Sequence, residues 1–333
     1  MKHYTLAIIG GGSWGTALAL HLSRKGVSVG LWDRNETLLQ QLQQERCNNR
    51  YLPDFPFPAT LHIEFSLEEL VNKAQDVLIV VPSYAFEELL VELLPRMELG
   101  MRICWATKGI DPQSHFLLHT LIEKHYSKAM PFAVLSGPSF AKEVAAGLPT
   151  AVTIAGNNEF FLEELRNLFA TATFNLQVTP DYVGVQIGGT AKNIIAIAVG
   201  MSDGLGYGTN MRAVLMTLGL KEIICLGRAL GAQSETFMGL SGFGDLVLTC
   251  TDVQSRNRRF GFALGQGFSP EEAEKSIGQS IEGKHNVSQI FTLAKQCQVK
   301  MPVVTAVFNV LSSIETPKQS MMELLQKLPE LES

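Results

Sequence analysis

Three short polar islands carry the residue types that could do chemistry. The first is Lys192-Asn193, set in the run Ala191–Val199 whose other members are all apolar. A helix apolar on nearly every face is normally buried, and burial disfavours an ammonium. That makes Lys192 a candidate proton acceptor near neutral pH; the plainer alternative is a lysine reaching from a first turn into water. The second island is Asp245, between Gly242-Phe243-Gly244 and Leu246-Val247-Leu248-Thr249. Such an aspartate suits orienting a lysine, accepting from a hydroxyl, or capping a helix. The third is Ser255-Arg256-Asn257-Arg258-Arg259. Arginine forks match phosphate oxygens, and Ser255 and Asn257 add neutral donors. Basic clusters are usually solvated faces or nucleic-acid contacts. The chain carries a net charge of −5, so a compact phosphate site is the better reading and no nucleic-acid partner is expected.

A further set points to a dinucleotide. Gly10-Gly11-Gly12-Ser13-Trp14-Gly15 follows the apolar run Thr5–Ile9 and opens into a helical pattern. In this arrangement Gly10 permits a tight turn, Gly12 lets the backbone approach a pyrophosphate, and Gly15 allows helix and strand to pack closely. The helix N-terminus then offers free N–H groups and a positive dipole end. Asp33, about twenty residues on, is placed to bond ribose hydroxyls. Arg34 beside it suits a 2′-phosphate, so either NAD or NADP is expected. Three other stretches end apolar runs where ligands gather in such folds: Val80–Ser83, Thr107-Lys108-Gly109 and Ser136-Gly137-Pro138-Ser139.

The elements that must hold these residues are legible as two regimes. Seven short apolar runs, 5–9, 27–32, 77–81, 102–106, 132–136, 150–155 and 174–178, suit strands buried on both faces of a parallel sheet. Helical patterns lie between most of them, one opened by a capping box at Ser66 and Glu69. After about Asp181 only helical patterns with glycine punctuation remain. At 333 residues the chain exceeds one ordinary core. The expected fold is therefore α/β: a doubly wound, Rossmann-type parallel sheet over 1–182, then an all-α substrate and catalytic domain over 183–333. The five scattered cysteines include no CxxC pair and fit a reducing compartment. No His/Cys cluster suggests a metal. The N-terminal apolar run is too short for a signal peptide, and Ile194–Met201 is far below a membrane span. A soluble, cytoplasmic protein is expected.

Over residues 4 to about 315 the chain resembles the bacterial-type NAD(P)-dependent glycerol-3-phosphate dehydrogenases. The strings that carry the resemblance are Gly10–Ala19, Trp105–Gly109, Ser136–Glu143, Gly188–Asn193, Gly200–Gly204, Gly244–Thr251, Ser255–Arg259 and Glu282-Gly283. The resemblance implies that Lys192 accepts the substrate proton. It implies substrate contacts at Lys108, Gly137, Ser139, Asp245, Ser255, Arg256 and Asn257; Asn193, beside Lys192, is a further candidate to fix the lysine and the substrate oxygen. It also implies cofactor contacts at Ser13, Trp14, Arg34, Lys108, Ala141, Arg256, Ser280 and Glu282. Ser139 stands where many members carry threonine, which keeps the hydroxyl, and Ser280 where an apolar residue is common. The implied reaction exchanges a hydride between NAD(P)H and dihydroxyacetone phosphate, giving sn-glycerol 3-phosphate for phospholipid synthesis. A homodimer is a family-level expectation. The rivals are a two-domain hydroxy-acid or keto-acid dehydrogenase, which needs no phosphate cluster, and a redox sensor that binds NAD(P)H without turnover.

Overall fold

The computed structural model describes residues 3–127 and 129–331, with side chains as far as Lys327. These residues form two compact units. One runs to Thr107 and resumes over Leu118–Tyr182; the other takes Lys108–Leu117 and everything from Val183 onward.

The first unit is a sheet of eight strands covered by helices. In chain order these are β1 (Tyr4–Ile9), α1 (Ser13–Arg24), β2 (Val29–Trp32), α2 (Glu36–Glu45), β3 (Leu61–Ile63), α3 (Leu67–Lys73), β4 (Ala74–Ile79), α4 (Phe86–Leu93), β5 (Ile103–Trp105), α5 (Leu118–His125), β6 (Phe132–Ser136), α6 (Ala141–Ala145), β7 (Thr150–Gly156), α7 (Glu159–Phe169) and β8 (Phe174–Thr179). The sheet order is β3-β2-β1-β4-β5-β6-β7-β8. The winding reverses between β1 and β4, and this is the switch point where doubly wound sheets bind ligands. β1 is buried almost throughout, as the unbroken apolar run Leu6–Ile9 requires of a central parallel strand.

Three details depart from the sequence reading. Strand β3 was not expected: its three residues, with His62 in the middle, are too short to show a pattern. β7 pairs antiparallel with β6, whereas parallel pairing was expected throughout. The reason lies in the connection: α6 has five residues and spans only about 8 Å, too short to return the chain to the start of the sheet. The capping box at α3 is half formed. Ser66 accepts from Glu69 N, but the Glu69 carboxylate turns to Lys73.

The second unit is all helical, with α8 (Tyr182–Gly204), α9 (Gly208–Ala229), α10 (Ser234–Phe237), α11 (Asp245–Thr251), α12 (Arg256–Gly265), α13 (Pro270–Ile277), α14 (Glu282–Gln296), α15 (Pro302–Leu311) and α16 (Pro317–Leu331). The final stretch, 316–333, was expected to be a last helix and a frayed tail; residues 332–333 lie outside those described. α8 is buried from Gly184 to Ser202, as its apolar surface demands, and forms the axis of this unit's core. It is much longer than the eight-residue run noted above. Among the described helices it is the one long and apolar enough to cross a membrane, yet 94% of its apolar window is buried within the protein.

Lys108–Leu117, within the stretch expected to form the first domain, groups by contacts with the helical unit. Ile110 and Leu117 pair across an isolated bridge and belong to the helical unit's core, and Ile110 N donates to Asn286 Oδ1. Burial of those two apolar side chains carries Lys108 with them.

Candidate active site

In the sheet unit the glycine loop joins β1 to α1. Gly10 has φ +119°, and a Cβ there would lie 2.3 Å from Val80 O; one at Gly15 would lie 2.0 Å from Gly10 O. Both positions exclude a side chain because backbone already occupies its place. At Gly12 a Cβ would meet nothing within 4 Å. The protein leaves that space open, and Gly12, as N-cap of α1, has no side chain to occupy the helix's first N–H groups. Such a cradle fits a pyrophosphate.

Asp33 braces this loop from the end of β2. Its Oδ2 accepts from Gly11 N at 2.7 Å and its Oδ1 from Asn35 N at 2.9 Å. Each carboxylate oxygen accepts more than one bond, so capacity for ribose hydroxyls remains. Arg34 is exposed and makes no side-chain hydrogen bond among the described residues. Ser13 Oγ donates to Tyr51 O, and Trp14 packs half-buried against the sheet unit's core. Gly137 is buried just beyond β6, Ser139 Oγ donates to Gly137 O at 3.0 Å, and Ala141 opens α6.

The helical unit gathers the titrating residues. Lys192, nearly three turns inside α8, is almost wholly buried; its Nζ lies 2.5 Å from Asp245 Oδ1 and 2.7 Å from Thr249 Oγ1. Lys108 Nζ lies 2.8 Å from Asp245 Oδ2. One buried carboxylate thus serves two lysines. Asp245 opens α11 and does not cap it: its carboxylate faces the lysines, so the capping alternative is set aside. A π-helical turn over Leu240–Gly244 precedes it. Gly188 on α8 allows this turn to approach, since a Cβ there would sit 2.6 Å from Ser241 O.

The electrostatics separate the two lysines. Burial dominates at Lys192 and, with repulsion from Lys108, outweighs Asp245; its pKa comes down to about 8. Burial also pulls Lys108 down, but Asp245, Glu282 and a hydrogen bond to Lys192 outweigh it, and its pKa is raised. Lys108 therefore holds a firm positive charge while Lys192 changes protonation near neutral pH.

Beside this pair runs an amide chain. Asn193 Nδ2 donates to Glu282 Oε2 at 3.0 Å, and its Oδ1 accepts from Asn257 Nδ2 at 2.9 Å. Asn257 Oδ1 in turn accepts from Gly283 N. Ser255 caps α12 through a bond from Arg258 N. The basic cluster divides: Arg258 is forked onto Asp203, Arg259 is exposed, and half-buried Arg256 donates to Gln279 Oε1 at 3.1 Å. Ser280 is half-buried just before α14. Thr249 was missed as a functional candidate, although its spacing of four from Asp245 puts both on one helix face. A cavity of about 570 Å³ lies elsewhere, among α14, α15 and α16, and holds none of these residues.

A Rossmann-type sheet with an open phosphate cradle, and a helical unit with a buried lysine–aspartate pair, define a two-domain NAD(P)-dependent oxidoreductase. Residues 5–162 match the N-terminal family of NAD-dependent glycerol-3-phosphate dehydrogenase, and residues 181–322 match its C-terminal family. Glycerol-3-phosphate dehydrogenase [NAD(P)+] of Serratia proteamaculans (strain 568) is 47% identical over 322 residues, covering 96% of this chain and 95% of that protein. The same enzyme of Yersinia pestis (strain Pestoides F) is also 47% identical, with the same coverage. The crystal structure of glycerol-3-phosphate dehydrogenase from Coxiella burnetii superposes with a TM-score of 0.94 at 46% identity, covering 97% of this chain and 98% of that one. The chain belongs to the NAD-dependent glycerol-3-phosphate dehydrogenase family.

Proposed function

We propose that the chain interconverts dihydroxyacetone phosphate and sn-glycerol 3-phosphate, with Lys192 carrying the proton. When bound, the nicotinamide supplies or accepts the hydride at substrate C2. The cofactor is NAD or NADP, held at Gly10, Gly12, Ser13, Trp14, Gly15, Asp33 and Arg34, with Lys108, Ala141, Arg256, Ser280 and Glu282 assigned by the family resemblance. Residues 1–182 supply most of the dinucleotide contacts and 183–333, with the Lys108 segment, most of the substrate contacts; Arg256, Ser280 and Glu282 reach the cofactor, and Gly137 and Ser139 the substrate.

One observation carries the reading: a buried lysine with its pKa near 8, hydrogen-bonded to a buried aspartate. In its neutral form Lys192 directs N–H groups at Asp245 and Thr249, and Thr249 spends its own proton on Asp245 O at 2.6 Å. The remaining position on Nζ takes the C2 hydroxyl proton during oxidation and returns it during reduction. Asp245 orients the lysine and offsets part of its charge. Lys108, held cationic, stabilises negative charge on the C2 oxygen as the proton moves. Asn193 fixes that oxygen from the neighbouring position. Arg256, Asn257 and Ser255 receive the phosphate, so binding energy remote from C2 orients the reacting carbon. Gly137 and Ser139 contribute donors to the substrate. The enzyme works in the cytoplasm as a homodimer without a membrane span, and supplies glycerol 3-phosphate to phospholipid synthesis.

The test is loss of absorbance at the nicotinamide band with dihydroxyacetone phosphate as substrate. Turnover with NADH or NADPH is expected. Binding of NADH without turnover of this substrate would favour the sensor reading, and preference for a keto acid the other dehydrogenases.

A further inference from the structure

We infer that Asp203 is a positioning residue for the phosphate site, acting through Arg258 to set the rotation of α12. This rests on the proposed function of Arg256 and Asn257 and deepens it. The string Gly200-Met-Ser-Asp-Gly204 has no role in the site as described above, and Asp203 contacts neither Lys192 nor Asp245.

Asp203 sits near the end of α8 with its side chain 7% exposed. Its Oδ2 accepts from Arg258 Nε at 3.0 Å and Nη2 at 2.7 Å, a two-pronged bond that fixes the guanidinium plane. Its Oδ1 accepts from Arg212 Nη2 at 3.0 Å, so α9 holds the carboxylate from the other side. Arg258 lies in the first turn of α12, and its backbone N–H also closes the Ser255 cap. Arg256 lies two residues earlier, about 200° round the helix from Arg258. Pinning Arg258 to α8 therefore turns Arg256 to the opposite face, away from the competing carboxylate. Asn257 stands between them and is buried toward Asn193.

Glycines on both helices make the clamp possible. A Cβ at Gly200 would sit 2.1 Å from Arg258 O, and one at Gly261 would sit 2.1 Å from Ile197 O. α8 and α12 touch backbone to backbone within the turn that carries Asp203. With that contact and the fork together, α12 can neither slide nor roll without breaking a charge-assisted pair. Among the cluster's three arginines the fork also decides which is spent on structure, leaving Arg256 for the phosphate.

The test compares Asp203→Asn with the parent enzyme, using dihydroxyacetone phosphate and free dihydroxyacetone. The amide keeps the volume but removes the counter-charge and one of the two acceptor oxygens. KM for dihydroxyacetone phosphate should rise about tenfold while kcat stays within about threefold, and kcat/KM for free dihydroxyacetone should stay within about twofold. A role in stability alone would lower the amount of active enzyme, so kcat for both substrates would fall in parallel at unchanged KM; that result overturns the inference. If Asp203→Asn does not fold by circular dichroism, Arg258→Lys decides. It keeps a cation but loses the fork, and must raise the phosphate substrate's KM at least about threefold; a KM within about twofold overturns the inference. A parent enzyme that fails to turn over dihydroxyacetone phosphate would instead overturn the functional reading itself.

Discussion

Replacing Asp245 by Asn should move the pH dependence of alcohol oxidation in a direction that the structure fixes. Oxidation needs neutral Lys192. With its pKa near 8, about one enzyme molecule in ten is competent at pH 7 and about nine in ten at pH 9, so kcat/KM for glycerol 3-phosphate should rise about tenfold between them. Reduction needs the protonated lysine and should lose activity over the same interval. Among the charges around Lys192, that of Asp245 does most to hold the pKa up, and Lys108 works against it. An opposing charge at this range is worth about 1–3 pKa units, so the oxidation limb of Asp245→Asn should shift at least about one unit to lower pH. The variant also loses the bond that orients Lys192. Its plateau should fall, but its activity relative to the parent should be worst at pH 9 and mildest at pH 7. Initial rates at subsaturating substrate from pH 6 to 10, with folding checked by circular dichroism, give both limbs. An oxidation limb that stays in place, or moves to higher pH, would refute the role given to Asp245.

Three other outcomes follow from the same geometry. Arg256→Ala should weaken dihydroxyacetone phosphate by about 1.5–3 kcal/mol in kcat/KM while free dihydroxyacetone loses much less; equal losses would mean that Arg256 acts on the cofactor. Arg34→Ala should shift the kcat/KM ratio toward NADH, and an unchanged ratio would show that this exposed arginine does not meet a 2′-phosphate. Glu222, buried on α9, accepts from Val303 N and Val304 N at the start of α15, and burial pushes its pKa up to about 8 against those two bonds. The folded state then keeps a proton that the unfolded state releases above its ordinary value near 4.5, so stability should fall as pH rises toward 8 and level off beyond. Glu222→Gln should remove that slope, and a melting-temperature difference from the parent that is constant between pH 6 and 9 would contradict it.

The sheet unit was readable wherever a strand was long and apolar, because burial on both faces leaves an unbroken hydrophobic run. It was unreadable at β3, where three residues show no period, and at β7, whose direction depends on how far α6 can carry the chain. The all-helical second half was evident from the loss of strand signals after Asp181. α11 was hidden, since its seven residues are too few to show a helical period. Burial of Lys192 followed from the apolar run around it. Asp245 was legible as a residue suited to orient a lysine, but its second lysine was not, because Asp245 and Lys108 meet across 137 positions of sequence. That encounter depends on Ile110 and Leu117 drawing a short loop into the helical core, which no local pattern announces. Arg258 and Arg256 look alike in sequence, and only the placement of Asp203 tells them apart.

Lys192→Ala puts the central claim to the most direct test. Single-turnover reduction of dihydroxyacetone phosphate, followed at the nicotinamide band, should slow by about 10²–10⁴-fold, while NADH affinity measured by fluorescence titration stays near the parent's. Turnover within about threefold of the parent, a difference of about 0.7 kcal/mol, would show that the proton moves by another route and would remove Lys192 from the mechanism.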